Sequence, residues 1–238
     1  MATVASVMAE LKAKGSEKTR DTYIRHGSPS DSVLGVSVAD LKLIAKTLKR
    51  EQALAMDLYA TGTMEAMYLA GMIASGAPMT RKQLQSWAEG SKAISMISDY
   101  TVPWVAVENA DGRSLAIEWI ASKHEHVAAA GWCTYSGIVT TTEDNELDHK
   151  EIQGLLKTVA TKIHKAPNHV RSAMNRFIIA VGSYVVPLAD AVRATATQVG
   201  EVYVDVGDTA CKIPDALEYI AKIEARCSAG KKKKTIRC

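Results

Sequence analysis

Apolar residues recur every three or four positions along almost the whole chain, and this spacing places them on one face of an α-helix. Glycine, proline and short polar clusters interrupt the pattern at intervals of roughly 15 to 20 residues. The clearest helix start is Ser37, a capping residue followed by Asp40 three positions later and by Leu41, Ile44 and Leu48 on one face. Because strand-like alternation is confined to one short stretch, the pattern predicts an all-α fold.

The connections between the predicted helices are short except at residues 27–36, so successive helices should be antiparallel neighbours. Besides the helix that begins at Ser37, we place helices at 3–14, 17–26, 51–61, 63–75, 80–89, 91–108, 112–122, 124–140, 147–165, 168–182, 186–199 and 213–227. The spacing predicts a single domain over residues 1–230, built as a stack of antiparallel helix pairs.

Two stretches fall outside the helical pattern. Val202, Val204 and Val206 alternate with other residues and predict a short strand-like strip at 200–207. Residues 231–238 contain a run of lysines and have no apolar face to bury, so we expect this basic C-terminal tail to be disordered.

Composition narrows the class of protein further. Aromatic residues make up only 5% of the 238 residues, which favours helix-on-helix packing over a β-sandwich. The four cysteines have no CxxC spacing and follow no apolar leader, so we expect neither disulfides nor a zinc site, and a cytoplasmic location. No apolar run approaches the ~20 residues that span a bilayer, so no membrane partner is expected.

The charge is unevenly distributed along the chain. Five basic residues lie in the last eight positions, and subtracting them from the net charge of +3 leaves −2 for residues 1–230. Overall charge therefore does not by itself indicate nucleic-acid binding, and a basic surface would have to come from local clustering. One candidate stripe near the N-terminus, which a solvated helix face would also produce, contains Arg20, Arg25, His26, Lys42, Lys46 and Lys49.

Four segments, in order, resemble the DNA alkylation repair (AlkD-like) family of DNA glycosylases. They are Gly35-Val-Ser-Val-Ala-Asp-Leu41, Met67-Tyr-Leu-Ala-Gly-Met-Ile-Ala74, Asn168-His-Val-Arg-Ser-Ala-Met-Asn175 and Asp205-Val-Gly-Asp-Thr-Ala-Cys-Lys-Ile-Pro-Asp-Ala216. The family's fold is a curved stack of HEAT-like helix pairs whose concave face cradles duplex DNA. The resemblance thus implies a HEAT-like solenoid, an α-α superhelix, with damaged or distorted double-stranded DNA as its partner and with no cofactor or metal.

The resemblance also implies a catalytic residue. Enzymes of the family use one Asp and two Trp to hydrolyse the N-glycosidic bond of an alkylated purine, and the Asp corresponds to Asp99, whereas Ser95 and Arg176 stand at the Trp positions. A carboxylate beside C1′ stabilises the oxocarbenium-like centre, and a cationic base leaves without a general acid. The residues alone leave another interpretation open, in which Asp99 bonds to donors of its own helix.

Aromatic residues elsewhere in the chain are candidate substitutes for the missing Trp pair. Trp104, Trp119 and Trp132 lie on apolar stripes and are predicted to belong to the core. Tyr100 and Tyr135 are candidates to replace part of the aromatic surface that would contact a cationic base.

The helix predicted at 168–182 carries four candidate DNA-binding residues: Asn168, Arg171, Asn175 and Arg176. An arginine guanidinium can donate two parallel hydrogen bonds to a phosphate, and asparagine amides add uncharged donors. A helix face that is simply exposed to solvent has the same composition. A guanidinium at the position of a lesion-contacting Trp disfavours a cationic base and favours phosphate or an abasic site.

These observations leave two main hypotheses and a third. The chain is either a glycosylase that excises N3- or N7-alkylated purines through Asp99, or a non-catalytic binder of bent, branched or damaged DNA. The net acidic body also permits a protein-binding HEAT scaffold. We expect a monomer.

Overall fold

The computed structural model describes residues 2–48, 50–92, 94–226 and 228–237. Within these ranges thirteen α-helices follow one another: α1 (Val4–Lys14), α2 (Glu17–Arg25), α3 (Val38–Leu48), α4 (Gln52–Ala60), α5 (Met64–Ile73), α6 (Arg81–Gly90), α7 (Val102–Val107), α8 (Gly112–Ile120), α9 (Glu125–Thr141), α10 (His149–Lys162), α11 (Asn168–Tyr184), α12 (Ala189–Val199) and α13 (Ala216–Ala225). A π-helix spans Ile97–Thr101, and short 3₁₀ turns lie at Asp144–Glu146, Ile163–Lys165 and Val186–Leu188. The described residues contain no strand, and the all-α prediction is confirmed.

Local sequence explains where many of these helices begin. The predicted cap at Ser37 is present, because its Oγ accepts from the backbone N–H of Asp40 at 3.1 Å and donates to the Asp40 carboxylate at 2.6 Å. Side chains that accept from N–H groups of the first turn also cap α1, α2, α6, α10 and α13, through Thr3, Ser16, Thr80, Asp148 and Asp215.

Two buried apolar clusters form the core. One extends from α1 to α9 and contains Trp104 and Trp119, and the other extends from α8 to α13 and contains Trp132 and Phe177. The tryptophans are at most 2% exposed, which confirms that they belong to the core. Because α8 and α9 contribute to both clusters, the two parts of the chain form one continuous helical array.

The continuous helix predicted at 91–108 is wrong. A turn at Ser91–Lys92, where Lys92 has φ +41°, precedes the π-helix, and α7 follows it. Pro103 has no N–H, so the bond back to the carbonyl of Asp99 that a regular helix requires cannot form. The N–H of Val102 bonds instead to the carbonyl of Ile97, five residues back, and this wider turn sets the direction of the Asp99 side chain.

The strand-like strip predicted at 200–207 pairs with no strand in the described part of the chain. Gly200, with φ +63°, ends α12 and begins a largely extended segment, residues 200–215, which leads to α13. Side chains of α11, rather than a neighbouring strand, bind the main chain of this segment, so its extended shape does not produce a sheet.

The C-terminal tail also differs from our expectation of disorder. Its described residues, 228–237, lie against the ends of several helices, and Lys232 forms an ion pair with Asp144 at 2.8 Å. Arg237 forms another with Glu108 at 2.7 Å. Polar groups at helix ends hold the tail in place together with Ile236, which packs against the first apolar cluster, and these partners are distant in sequence.

No single helix in the described ranges is long and apolar enough to cross a bilayer. The pair Asn168–Tyr184 and Val186–Val199 reaches that length only when joined, and it bends by 115° at the junction.

Candidate nucleic-acid interface

Asp99 lies in the π-helix with its side chain directed towards α11. The side chain is only 5% exposed, and both carboxylate oxygens have cationic partners. Oδ2 accepts from Nη1 of Arg176 at 2.6 Å, and Oδ1 accepts from Nε2 of His169. Ser98 of the same π-helix also donates its hydroxyl to Oδ1 at 3.3 Å. Asp99 therefore has one partner in its own helix, as one interpretation of the sequence held, but its two charged partners lie across the array on α11.

The three groups stabilise each other's charges. Burial opposes the ionisation of Asp99, but the neighbouring charges and hydrogen bonds of His169 and Arg176 outweigh it and lower the pKa of the carboxyl. Burial likewise opposes the protonation of His169 and of Arg176. The Asp99 carboxylate outweighs burial in both cases and raises the pKa of each group. With two cations around one anion, the protonated cluster carries a net charge of +1.

This cluster forms part of the wall of a cavity of about 510 Å³, hereafter the Asp99 cleft. Basic side chains line it on the N-terminal side, at Arg25 and His26, and on the extended segment, at Lys212. Ser95 also lines it. Asp205 adds a carboxylate, but the basic groups outnumber the acidic ones, so the cleft combines a net positive charge with a hydroxyl group, a composition that suits phosphate oxygens.

Two of the predicted site residues meet at Asp99. Arg176 reaches the carboxylate, and its guanidinium carbon lies 5.8 Å from the centroid of the Tyr100 ring, which is 41% exposed. Tyr135 lies elsewhere, because it is 1% exposed and its hydroxyl donates to Glu151 at 2.5 Å. The prediction that Tyr135 contributes to an aromatic binding surface is wrong.

The other predicted DNA contacts on α11 bind the chain itself. Asn168 exchanges two hydrogen bonds with the main chain of Asp205, at 2.7 and 2.8 Å. Arg171 donates to the carbonyl of Tyr203 at 2.7 Å, and Asn175 donates to that of Pro214 at 2.9 Å. Asn175 is 1% exposed and cannot contact a phosphate, so these residues fix the extended segment that forms one side of the cleft.

His169 was not predicted as a site residue, although a signal was present. It precedes Arg176 by seven positions, which is two helical turns, so both side chains project from one face of α11. An imidazole and a guanidinium on one face predict a cationic face that can engage an anion.

The residues of the predicted basic stripe near the N-terminus do not share one surface. Arg20 donates to the carbonyl of Ser30 at 2.7 Å, Arg25 and His26 line the Asp99 cleft, and Lys42 and Lys46 line a different cavity. Lys49 lies outside the described residues. No three His, Cys, Asp or Glu side chains converge as a metal site in the described ranges.

Comparison with known proteins decides the family. The model of the DNA alkylation repair enzyme family matches residues 7–200, which is most of the chain. The chain belongs to this family. The resemblance drawn from the four sequence segments is thereby confirmed.

Relatives of similar length support the assignment. The uncharacterized protein Lin0241 of Listeria innocua is 28% identical over 229 residues, covering 95% of this chain and 99% of the relative. Lmo0209 of Listeria monocytogenes, also uncharacterized, is 27% identical with the same coverage.

A solved structure shows the same architecture over both whole chains. It is 36% identical with a TM-score of 0.90, and it belongs to a new family of proteins related to the HEAT-like repeat DNA glycosylases with affinity for branched DNA structures. The prediction of a HEAT-like helical fold is confirmed. In this member of the DNA alkylation repair family, the charge of Arg176 is directed at Asp99 itself.

Proposed function

We propose that this member of the DNA alkylation repair family binds branched DNA through the Asp99 cleft and does not excise alkylated bases. The observation that carries the proposal is the complete engagement of Asp99 by Arg176 and His169. A carboxylate that stabilises an oxocarbenium centre has to face C1′ of the sugar. Here both carboxylate oxygens bind protein cations instead.

The cost of releasing Asp99 also disfavours excision. Freeing the carboxylate for a sugar would break charge-assisted hydrogen bonds and leave buried charges without partners. A base with a positive charge would then approach two cations, and no stacking by tryptophan would compensate, since the tryptophans are in the core.

The same geometry favours an anionic ligand. The side chain of Arg176 is 41% exposed, so guanidinium N–H groups that do not bind Asp99 can donate to a phosphate. Asp99 holds the guanidinium and the imidazolium in fixed positions, which lowers the conformational cost of binding. The solved relative belongs to a family with affinity for branched DNA, and its 36% identity and shared fold support the same substrate class for this chain.

Exposed aromatic rings fit a branched substrate better than a fully paired one. Tyr203 on the extended segment is 74% exposed, and Arg171 holds its carbonyl oxygen. Unpaired bases at a branch point can stack on such rings without a sequence requirement.

The test compares a four-way junction with a linear duplex of the same sequence by fluorescence anisotropy, alongside base release from duplexes that carry N7-methylguanine or N3-methyladenine. We expect tighter binding of the junction, no base release, and a loss of about tenfold in junction affinity for Arg176→Gln. Arg193→Gln is the matched control, because Arg193 also forms acidic pairs but lies on α12, away from the cleft.

Base release that disappears in Asp99→Asn would show a glycosylase and overturn the proposal. Equal affinity for junction and duplex would overturn the preference for branched DNA.

A further inference from the structure

The C-terminal tail crosses the C-terminal ends of three helices. The N–H of Gly230 donates to the carbonyl of Ser183 in α11 at 2.9 Å, and that of Lys233 donates to Thr140 in α9 at 2.9 Å. Arg237 donates to the carbonyl of Gly71 in α5. The last carbonyls of a helix have no partner within it and carry the negative end of its dipole, so a basic segment is stabilised here.

Two cationic side chains anchor the tail. Lys232, whose side chain is 7% exposed, pairs with Asp144 at 2.8 Å and donates to the carbonyl of Val139 at 3.0 Å. Arg237 binds Glu108 through two hydrogen bonds of 2.7 Å each. Burial raises the pKa of Glu108, but the bonds from Arg237 and other groups outweigh it and lower that pKa.

The remaining lysines of the tail face solvent. Lys231, Lys233 and Lys234 are exposed on a main chain that the anchors hold in place. Lys233 also lies 5.7 Å from the ring centroid of Tyr184. Lysines on a main chain that is held in place bind phosphates at a lower entropic cost than lysines on a flexible segment of the same composition.

The tail forms one wall of a basic groove of about 740 Å³. Lys42, Lys46 and Arg50 line the opposite wall, and Lys234 and Arg237 line the tail side. Glu108 is the only acidic residue that lines the groove within the described part of the chain. The groove therefore carries a strong positive charge, although residues 1–230 as a whole are acidic.

A third cavity, of about 460 Å³, borders both the groove and the Asp99 cleft. It shares Asp99 and Arg176 with the cleft, and it shares Trp104 and Ile236 with the groove. We infer that the basic groove between α3 and the C-terminal tail binds the phosphates of a second DNA arm, whose branch point lies at the Asp99 cleft. This inference rests on the proposed function and adds to it a separate surface for the second arm.

The experiment removes the exposed charges of the tail and keeps both anchors. The triple variant Lys231→Gln, Lys233→Gln and Lys234→Gln is compared with Lys150→Gln, Lys157→Gln and Lys162→Gln on α10. The control removes the same charge from exposed positions that line none of the three cavities, so a difference between the variants is not an effect of net charge. Circular dichroism verifies that both variants retain their helices.

Binding to the four-way junction and to the linear duplex is measured between 50 and 200 mM salt. Each phosphate contact contributes about 0.9 to the slope of log K against log salt, so the tail variant should lose up to about 2.7 of that slope on the junction. The ratio of wild-type to tail-variant affinity should then fall by about 40-fold over this range. The control should follow the wild type closely, and so should the tail variant on the linear duplex.

Identical junction binding by the two variants would overturn the inference and leave the proposed function standing. Equal losses of affinity for the junction and for the linear duplex would show that the groove binds a continuation of the same duplex. That result would also overturn the inference of a second arm. A wild-type protein without junction preference would overturn the proposed function together with this inference.

Discussion

Replacing Asp99 with Asn tests whether this carboxylate is a structural anion. The substitution preserves the size of the side chain but removes the charge that Arg176 and His169 face. Removing one partner of a buried ion pair costs about 3–5 kcal/mol, mainly because the other charge remains buried. Here His169 can lose its proton, and the side chain of Arg176 is 41% exposed and can reach water. We therefore expect a smaller loss of about 2–3 kcal/mol.

Urea unfolding followed by circular dichroism measures this loss. With an m-value of about 2–3 kcal/mol/M, the midpoint should fall by about 1 M. Glu118→Gln provides a control, because it removes a carboxylate that pairs with Arg81 at an exposed position, and such pairs contribute less than about 1 kcal/mol. Equal effects of the two substitutions would refute a structural role for the Asp99 pair.

The pH dependence of stability gives an independent check on the charges assigned to Asp99 and His169. The lowered pKa of Asp99 means that its contribution to stability is present above its ordinary pKa, about 3.9, and is lost as pH falls through the lower native value. The raised pKa of His169 means that its contribution is complete below about pH 6.5 and is lost as pH rises through the higher native value. The difference in stability between wild type and Asp99→Asn should thus be largest between about pH 4 and 6.5. A difference that grows above pH 7 would contradict this assignment of charges.

Three further predictions concern the pH dependence of binding, the packing around two glycines and the support of the extended segment. Junction affinity of the wild type should decline as pH rises above about 6.5 and His169 loses its proton, and His169→Gln should lack this decline. Anisotropy titrations at several pH values measure it, and a decline that persists in His169→Gln would contradict the role of His169. Gly76→Ala should destabilise the fold by more than about 3 kcal/mol, because the added Cβ would lie 1.8 Å from the main-chain oxygen of Val105. Gly154→Ala, on the open face of α10, should stabilise the fold by about 0.5–1 kcal/mol, and thermal melts measure both effects. Asn175→Ala should cost about 1–2 kcal/mol and speed proteolysis within residues 200–215, and an unchanged cleavage rate would count against its role in holding that segment.

Most of the helical array could be predicted because its determinants are local. The cap at Ser37, the apolar period of α3 and the proline at 103 act on residues within a few positions of each other. The predicted helix at 91–108 was wrong at its start, where the turn at Ser91–Lys92 precedes the helical residues. Pro103 lies within the helical stretch and accounts for the π-helix before it, an effect on hydrogen bonding that was available from the sequence.

The candidate site was less predictable. Asp99 and Arg176 were identified through resemblance to a family, but nothing in the sequence showed that they bond to each other. The amides of Asn168 and Asn175 have the composition of a DNA-binding face, and the structure uses them to hold the main chain of the extended segment. A polar side chain has the same sequence signature whether its partner is a phosphate or a carbonyl group of its own chain.

The sequence by itself thus determined most of the helices, since helical periods and caps depend on neighbours within about four residues. Four segments of family resemblance determined the family. Only the tertiary structure decided the charge state of the site. His169 and Arg176 meet Asp99 from 70 and 77 residues away, and the tail meets Glu108 from 129 residues away. Such pairings depend on which helix faces come together, and burial then fixes how strongly each charge holds its partner.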